Sequence, residues 1–194
     1  MTRRATNRKL IRLGISLIIV GISYYAAKHP QQTAQIAANV PAGNYRVTEF
    51  VDGDTIAVDM NGKVEKIRMI GVDTPETHDP RKAVECFGQA ASAYTKQIIG
   101  DKPVRLEADP LSTNRDRYNR LLRYVYTADN KLVEQEIIQN GYGFAYVSFP
   151  FTKLEEFRGY EKEARDLGRG LWSGCQPYLD SKGYIHSSVD GVKP

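Results

Sequence analysis

The chain has 194 residues, enough for one compact domain with shorter segments attached. Its formal net charge of +4 invites a polyanion-binding interpretation, but that charge is unevenly distributed. Residues 1–43 hold six basic residues and no acidic residue, so the rest of the chain holds 21 basic residues against 23 acidic ones. The basicity therefore belongs to the N-terminus and is no evidence that the remaining residues bind a polyanion.

The N-terminus has the composition of a membrane-directed segment. Five basic residues lie within the leader 1–12, and fifteen uncharged residues follow at 13–27. This order is typical of a signal segment or a short anchor whose basic leader stays in the cytoplasm. Fifteen residues are fewer than the roughly 20 of a usual span, yet Tyr24 and Tyr25 stand where a small-residue cleavage site is expected. A retained anchor is favoured, with a cleaved signal or a buried core helix as alternatives, and both membrane interpretations export the rest of the chain.

The remaining chain divides into a linker, a domain and a tail. Residues 28–43 are small and polar with two prolines and predict a linker. Segments rich in Val, Ile, Tyr and Arg, separated by turn signals, predict five strands. They are roughly 45–50, 54–60, 64–72, 103–108 and 121–127. Helical spacing predicts three helices within 86–99, 132–141 and 152–168.

These elements predict an α+β domain at 44–174 whose small sheet closes on itself. A five-stranded barrel of the oligonucleotide-binding type, with three α-helices, fits the number of strands, as several other folds would. The residues after Trp172, including the polar tail 175–194, are expected to be mostly disordered.

Two acidic clusters flank the first predicted hairpin. Asp52 and Asp54 stand at its opening, and Asp73 and Glu76 stand at the end of its return strand. Antiparallel pairing around the Asn61–Gly62 turn brings the opening and the end together, so both clusters can meet at one edge of the sheet.

Carboxylates that meet in this way repel one another unless a cation lies between them. Three carboxylates and a backbone carbonyl, such as that of Thr74, suit a hard divalent cation, calcium above all. The stretch "DGD" alone is typical of a hairpin turn, and its continuation does not match an EF-hand loop. The two clusters together favour a cation site.

Two arginines extend this chemistry. Arg68 lies in the apolar run "IRMIGV", where a guanidinium is costly to bury without an anionic partner. Arg68 either forms an internal ion pair or clamps an anion at the barrel mouth. Arg120 can reach the same mouth, although a surface position is the simpler interpretation of Arg120. A cation, two forked guanidiniums and a carboxylate such as Glu76 together suit phosphodiester cleavage.

Five motifs in order resemble one family. They are "VDGDT" (51–55), "RMIGVDTPE" (68–76), "FGQAASAYTK" (87–96), "DRYNR" (116–120) and "GFAYV" (143–147). Together they resemble the thermonuclease (micrococcal nuclease) family from about Tyr45 to Trp172. The resemblance implies a five-stranded oligonucleotide-binding barrel with three helices. It also implies calcium-dependent hydrolysis of DNA and RNA to 3′-phosphorylated products. The expected partners are DNA and RNA as substrates and, if the N-terminal segment is uncleaved, the membrane, and a monomer is expected.

The resemblance also assigns a cation site. Asp54 and Asp73 match the family's calcium carboxylates, and the carbonyl of Thr74 matches its backbone ligand. Asp52 would lie near the metal without ligating it.

The same resemblance assigns the groups around the phosphate. Arg68 and Arg120 match the phosphate-binding arginines, and Glu76 matches the catalytic carboxylate. Three further positions match contacts to the terminal phosphate, the base and the nucleotide pocket: Arg117, Tyr118 and Tyr146. Two departures concern affinity more than activity, namely Ser148 in place of a second pocket tyrosine and Asn119 in place of a glycine.

The chain's two cysteines, Cys86 and Cys175, cannot form a four-ligand zinc site. In an exported protein, an oxidising compartment would convert them to one disulfide. In the fold that the resemblance implies, the start of the first helix and the end of the last lie close together, which supports that pairing. Two unpaired thiols in a cytosolic protein are the alternative. The rival function is a non-catalytic oligonucleotide-binding module of the same fold, which is expected to have lost one of the matched arginines or carboxylates.

Overall fold

The computed structural model describes residues 43–77, 84–181 and 183–189. The predicted leader, hydrophobic segment and nearly all of the linker lie outside these residues. Within the described ranges, no helix is both long and apolar enough to cross a membrane.

Short strands and helices alternate along the described chain. The strands are β1 Asn44–Asp52, β2 Thr55–Met60, β3 Lys63–Met69, β4 Val72–Asp73, β5 Val104–Glu107, β6 Leu121–Tyr126, β7 Phe144–Ala145, β8 Tyr178–Leu179 and β9 Ile185–His186. The helices are α1 Gly88–Ile99, α2 Val133–Gln139, α3 Leu154–Asp166 and a single turn, α4 Leu171–Gly174. All five predicted strands and all three predicted helices are present, with ends shifted by a few residues.

Five of the strands close into a barrel in the order β1-β2-β3-β6-β5, which confirms the predicted fold class. Neighbours are antiparallel except β3 and β6, which run parallel. The β1–β2–β3 meander supplies the hairpin on which the acidic clusters were predicted, and β1 closes the barrel through a short pairing with β5.

The predicted strand 64–72 is wrong in its last part. The strand β3 ends at Met69, and Gly71 has a φ of +73°, a conformation that L side chains rarely adopt. A Cβ at Gly71 would lie 2.6 Å from the ring of Phe151, so close packing also excludes a larger residue. After this turn, Val72–Asp73 forms the separate strand β4, which pairs with β7. Asp73 therefore does not continue the line of β3.

The barrel is filled by β-branched and aromatic side chains, and two helices cover it. Ile56, Val58, Ile67 and Val125 are each fully buried, and each contributes about 1.5–3 kcal/mol relative to exposure. On α3 the buried stripe is Phe157 and Ala164. Helix α1 contacts β1 and α2 contacts β6, whereas α3 packs on α2 and β7.

The C-terminal segment is tied to the start of α1. Cys86 and Cys175 form a disulfide, as predicted, with Cα atoms 5.9 Å apart. The expectation of disorder is wrong for the described part of the tail, because β8 and β9 pair as an antiparallel hairpin. Two hydrogen bonds just after β9 hold this hairpin in place: Cys86 N donates to Ser188 O at 2.6 Å, and Ser187 Oγ donates to Cys86 O at 2.7 Å.

Candidate active site at the barrel rim

The register of the β2–β3 hairpin brings the two acidic clusters together, as the sequence predicts. Thr55 pairs with Arg68, and Met69 N donates to Asp54 O at 3.0 Å. Asp54 therefore lies beside Arg68, and the turn at Gly71 places Asp73 beside Arg68 as well. We call this set of groups, centred on Asp52, Asp54, Arg68 and Asp73, the rim site.

Arg68 lies at the centre of the rim site. Its Nη2 is 3.1 Å from Asp54 Oδ2 and 2.6 Å from Asp73 Oδ1, and its Nη1 donates to Val72 O at 2.6 Å. The side chain is only 13% exposed. Burial acts to lower the pKa of Arg68, but the charges of Asp54 and Asp73 outweigh burial and raise it. The internal ion pair considered from the sequence is therefore present, and it is built from the predicted cation ligands.

The carboxylate of Asp54 is fixed by two donors from different elements. Its Oδ1 accepts from Thr55 Oγ1 at 2.9 Å, and its Oδ2 accepts from Thr74 N at 3.0 Å. Thr74 is buried, and its Oγ1 has no hydrogen-bond partner among the residues that the structure describes. Gly53 allows this approach, because a Cβ there would lie 2.7 Å from Thr74 Oγ1.

Negative charge exceeds positive charge at the rim site. Burial, followed by the charge of Asp54, raises the pKa of Asp52 to about 7, although Gly53 N and Thr77 Oγ1 donate to its Oδ1. Burial also raises the pKa of Asp73 to about 6, against the opposing charge of Arg68. Since 40% of the Asp73 side chain is exposed, water screens part of that effect.

The residues present fit a hard divalent cation. Such an ion would neutralise the surplus carboxylate charge, and the groups that could ligate it are all oxygens, as hard cations prefer. It would also provide a partner for Thr74 Oγ1, which has none among the described residues. In the described ranges, however, no three His, Cys, Asp or Glu side chains form a ready-made cage. Arg68 takes one oxygen from each of Asp54 and Asp73, so an ion would share these carboxylates with the guanidinium.

Glu76 lies next to the rim site. Its side chain is half-buried, lies against the carboxyl of Asp52, and accepts from Thr77 N at 3.0 Å through Oε1. The backbone around it is held from the start of the α1 region: Glu85 Oε2 accepts from Glu76 N at 3.2 Å, and Glu85 N donates to Glu76 O at 3.0 Å.

Arg120 reaches the same place from the loop before β6. Its Nε lies 2.7 Å from Asp116 Oδ2, and its Nη1 donates to Thr55 Oγ1 at 3.3 Å. Thr55 therefore links Arg120 to Asp54. Asn119 has a φ of +64°, a left-handed conformation that asparagine tolerates better than most residues, so it can serve where the family has glycine.

The three predicted substrate-contact residues form two groups. Arg117 Nη2 donates to Tyr118 OH at 2.8 Å, and the guanidiniums of Arg117 and Arg120 lie 4.8 and 5.4 Å from the centre of the exposed Tyr118 ring. Tyr146 follows β7 on the other side, where its N donates to Gly71 O at 2.8 Å. Its phenol is close enough to Arg68 for the two groups to interact electrostatically.

Sequence reasoning missed four residues that build or border this site: Thr55, Glu85, Asp116 and Tyr184, whose ring lies beside that of Tyr146. The spacing of Asp116 and Arg120, four residues apart, is a signal for an ion pair that could have been found. Glu85 and Tyr184 are brought near only by the fold, and no local pattern marks them.

Comparison with known proteins agrees with this geometry. Residues 66–174, more than half of the chain, match the family model described as Staphylococcal nuclease homologue. This chain belongs to the staphylococcal nuclease family. The matched span includes Arg68, Asp73, Glu76 and Arg120 and stops before the C-terminal hairpin.

Individual relatives cover nearly the whole chain. The thermonuclease of Staphylococcus hyicus is 34% identical over 165 residues, which are 84% of this chain and 95% of the relative. Endonuclease YncB of Bacillus subtilis (strain 168) is 33% identical over 199 residues, covering 90% of this chain and 93% of the relative. The thermonuclease of Staphylococcus intermedius is 38% identical over 171 residues, covering 88% and 98%.

Proposed function

We propose that this protein is a calcium-dependent nuclease that hydrolyses phosphodiester bonds of DNA and RNA and leaves 3′-phosphorylated products. The observation that carries the proposal is the rim site, where two arginines and an excess of carboxylates meet in a member of the staphylococcal nuclease family. The names of its relatives, two thermonucleases and an endonuclease, support the same activity.

The arginines suit a phosphate that gains charge during the reaction. Arg68 and Arg120 are linked through Asp54 and Thr55, so their guanidiniums are held in fixed positions rather than free in solvent. Guanidiniums bind phosphate oxygens through paired hydrogen bonds, and fixed positive charge stabilises the transition state without further reorganisation. Calcium bound by Asp54, Asp73 and the Thr74 carbonyl would add a Lewis acid that polarises the phosphate.

Glu76 is the group placed to handle the attacking water. Its carboxylate lies at the edge of the rim site, and its backbone is held on both sides by Glu85. A carboxylate in this position can orient a water molecule and accept its proton. Asp52 lies beside it with a pKa raised to about 7, so the two carboxyl groups can share a proton near neutral pH.

We further propose that the protein works outside the cytoplasm, as a monomer that is either anchored by residues 13–27 or released after cleavage. The Cys86–Cys175 disulfide supports export, because disulfides persist in oxidising compartments. Mass spectrometry of protein from the native envelope tests this: a bridged pair is expected, and two free thiols would refute export.

Digestion of DNA and RNA by the purified protein tests the activity. Cleavage is expected with calcium, little with magnesium, since the smaller ion demands a more rigid octahedral site, and none with chelator. Phosphate on the 3′ end of the products is expected from end-group analysis. Binding of the same nucleic acids without cleavage under any of these conditions would identify the non-catalytic module instead.

A further inference from the structure

The C-terminal hairpin borders the rim site, because Val189 bridges to Glu85 and Glu85 holds the backbone of Glu76, although the hairpin is outside the span that matches the family model. His186, on β9, is close enough to Asp73 for the two groups to interact electrostatically, and Val189 forms a bridge with Glu85. The contacts of Ser187 and Ser188 with Cys86 hold the strand in that position. The disulfide to Cys175 then fixes the other end of the segment.

This placement creates an exposed aromatic surface beside the phosphate-binding arginine. The ring of Tyr184 lies 6.3 Å from that of Tyr146 at an interplanar angle of 25°, so the two rings are nearly parallel. The ring of Phe149 lies 5.9 Å from Tyr146 on the preceding loop. Tyr184 is 40% exposed and Phe149 is 65% exposed. Exposed apolar clusters of this kind are uncommon on soluble proteins unless they bind something.

The neighbouring chemistry indicates what this surface binds. Arg68, which interacts with Tyr146, is a phosphate-binding group under the proposed function. Aromatic rings next to a positive phosphate clamp are the arrangement with which proteins hold single-stranded nucleic acid, because every base offers a flat face for stacking. A base in a duplex is already stacked and paired, so it cannot use these rings.

We propose that Tyr184, together with Tyr146 and Phe149, forms a stacking surface for an unpaired base next to the scissile phosphate. The C-terminal hairpin thereby contributes a substrate-binding residue from outside the family domain, in the region where Ser148 offers no ring. The inference rests on the proposed nuclease function and adds Tyr184 of the C-terminal hairpin to its substrate contacts.

Steady-state kinetics on one oligodeoxynucleotide, single-stranded or annealed to its complement, tests the inference. Tyr184→Ala is expected to raise KM for the single strand by about 5- to 150-fold, the range for losing one stacked base. The kcat for that strand and the KM for the duplex should change little. Tyr184→Phe keeps the ring and should behave like the wild type.

Tyr178→Ala is the matched control, because Tyr178 is an exposed tyrosine of the same hairpin whose ring packs against His186. It should leave the ratio of single-strand to duplex KM unchanged. Equal effects of Tyr184→Ala on both substrates, or none on the single strand, would overturn the inference.

Fluorescence-anisotropy titration of the labelled single strand separates this inference from the proposed function. Tyr184-dependent binding by a protein that hydrolyses nothing would refute the nuclease and support the stacking surface. Tyr184-independent binding by an active enzyme would refute the stacking surface alone.

Discussion

The carboxylate of Asp109 and the carboxylates of the rim site have pKa values shifted in opposite directions. Asp109 is 3% exposed and accepts hydrogen bonds from Leu111 N, Tyr124 OH and Thr152 N, each at 2.8 Å. Burial acts to raise the pKa of Asp109, but these donors, chiefly Thr152, outweigh it and lower the pKa. At the rim site, by contrast, burial and the charge of Asp54 raise the pKa of Asp52 to about 7.

A structural carboxylate and a candidate ligand carboxylate differ in how fully the protein satisfies their charge. Asp109 has as many donors as it needs, so it ties the loop before β6 to the start of α3 and leaves no demand for a ligand. The rim site has more negative charge than the guanidinium of Arg68 neutralises, which costs stability. Under the proposed function this surplus charge is what would attract a cation.

The largest expected effect is on turnover at the rim site. Glu76→Gln and Arg120→Ala should each lower kcat by at least about a hundredfold, the scale for removing one acid–base or charge-stabilising group. Both side chains lie at the edge of the barrel, so thermal unfolding followed by circular dichroism should show a folded protein with little change in Tm. Near-wild-type turnover in folded Glu76→Gln would contradict the role given to that carboxylate.

The next effect is on stability and comes from Arg68. Arg68→Ala leaves Asp54 and Asp73 facing each other without their counter-charge, which should lower the free energy of unfolding by roughly 3–5 kcal/mol in chelator. Calcium should restore part of this loss, as urea unfolding with and without the ion would show.

Arg68→Lys is the matched control for that change. It keeps a positive charge but loses the planar fork, so it should recover stability better than activity. Equal stability of Arg68→Ala and wild type in chelator would show that the carboxylates do not depend on this guanidinium.

Asp109→Asn should give the opposite result to the rim substitutions. An amide in place of the carboxylate turns a donor toward groups that are themselves donors, which should cost about 1–3 kcal/mol of unfolding free energy. Turnover at 25 °C should remain at the wild-type level, because the network touches no rim residue. A large loss of turnover in the folded variant would remove the distinction between the two carboxylate groups.

The smallest expected effect is a pH dependence of stability in chelator. Because the pKa of Asp52 is raised from 3.8 to about 7 on folding, the folded state holds a proton that the unfolded state releases between these values. The stability that comes from the raised pKa of Asp52 is therefore present in acid and is lost as the pH rises toward 7. The Tm of Asp52→Asn should fall less from pH 5 to pH 8 than that of the wild type, and parallel curves would contradict the raised pKa.

The sequence predicted the parts of the site that follow from local pattern. Alternation and the Asn61–Gly62 turn fix the β2–β3 register, and the register alone brings Asp54 to Arg68. The family motifs added Arg117, Tyr118 and Tyr146, and they favoured the barrel mouth over the surface for Arg120.

What the sequence did not predict depends on contacts between distant segments. The break of the strand at Gly71 arises from the ring of Phe151, eighty residues further along, and from positive φ. The C-terminal hairpin has a polar composition typical of disorder, and it is held by the disulfide, by hydrogen bonds to Cys86 and by the packing of Ile185 against the small apolar cluster of Phe144 and Leu171. Tyr184 could be placed beside Tyr146 only once that anchor was known.

Isothermal titration of calcium into the wild type, Asp54→Asn and Asp109→Asn tests most directly whether the surplus charge of the rim site holds a cation. The wild type and Asp109→Asn are expected to bind one calcium ion with similar affinity, and Asp54→Asn is expected to bind it much more weakly. Undiminished binding by Asp54→Asn, or no binding by the wild type, would contradict the cation site.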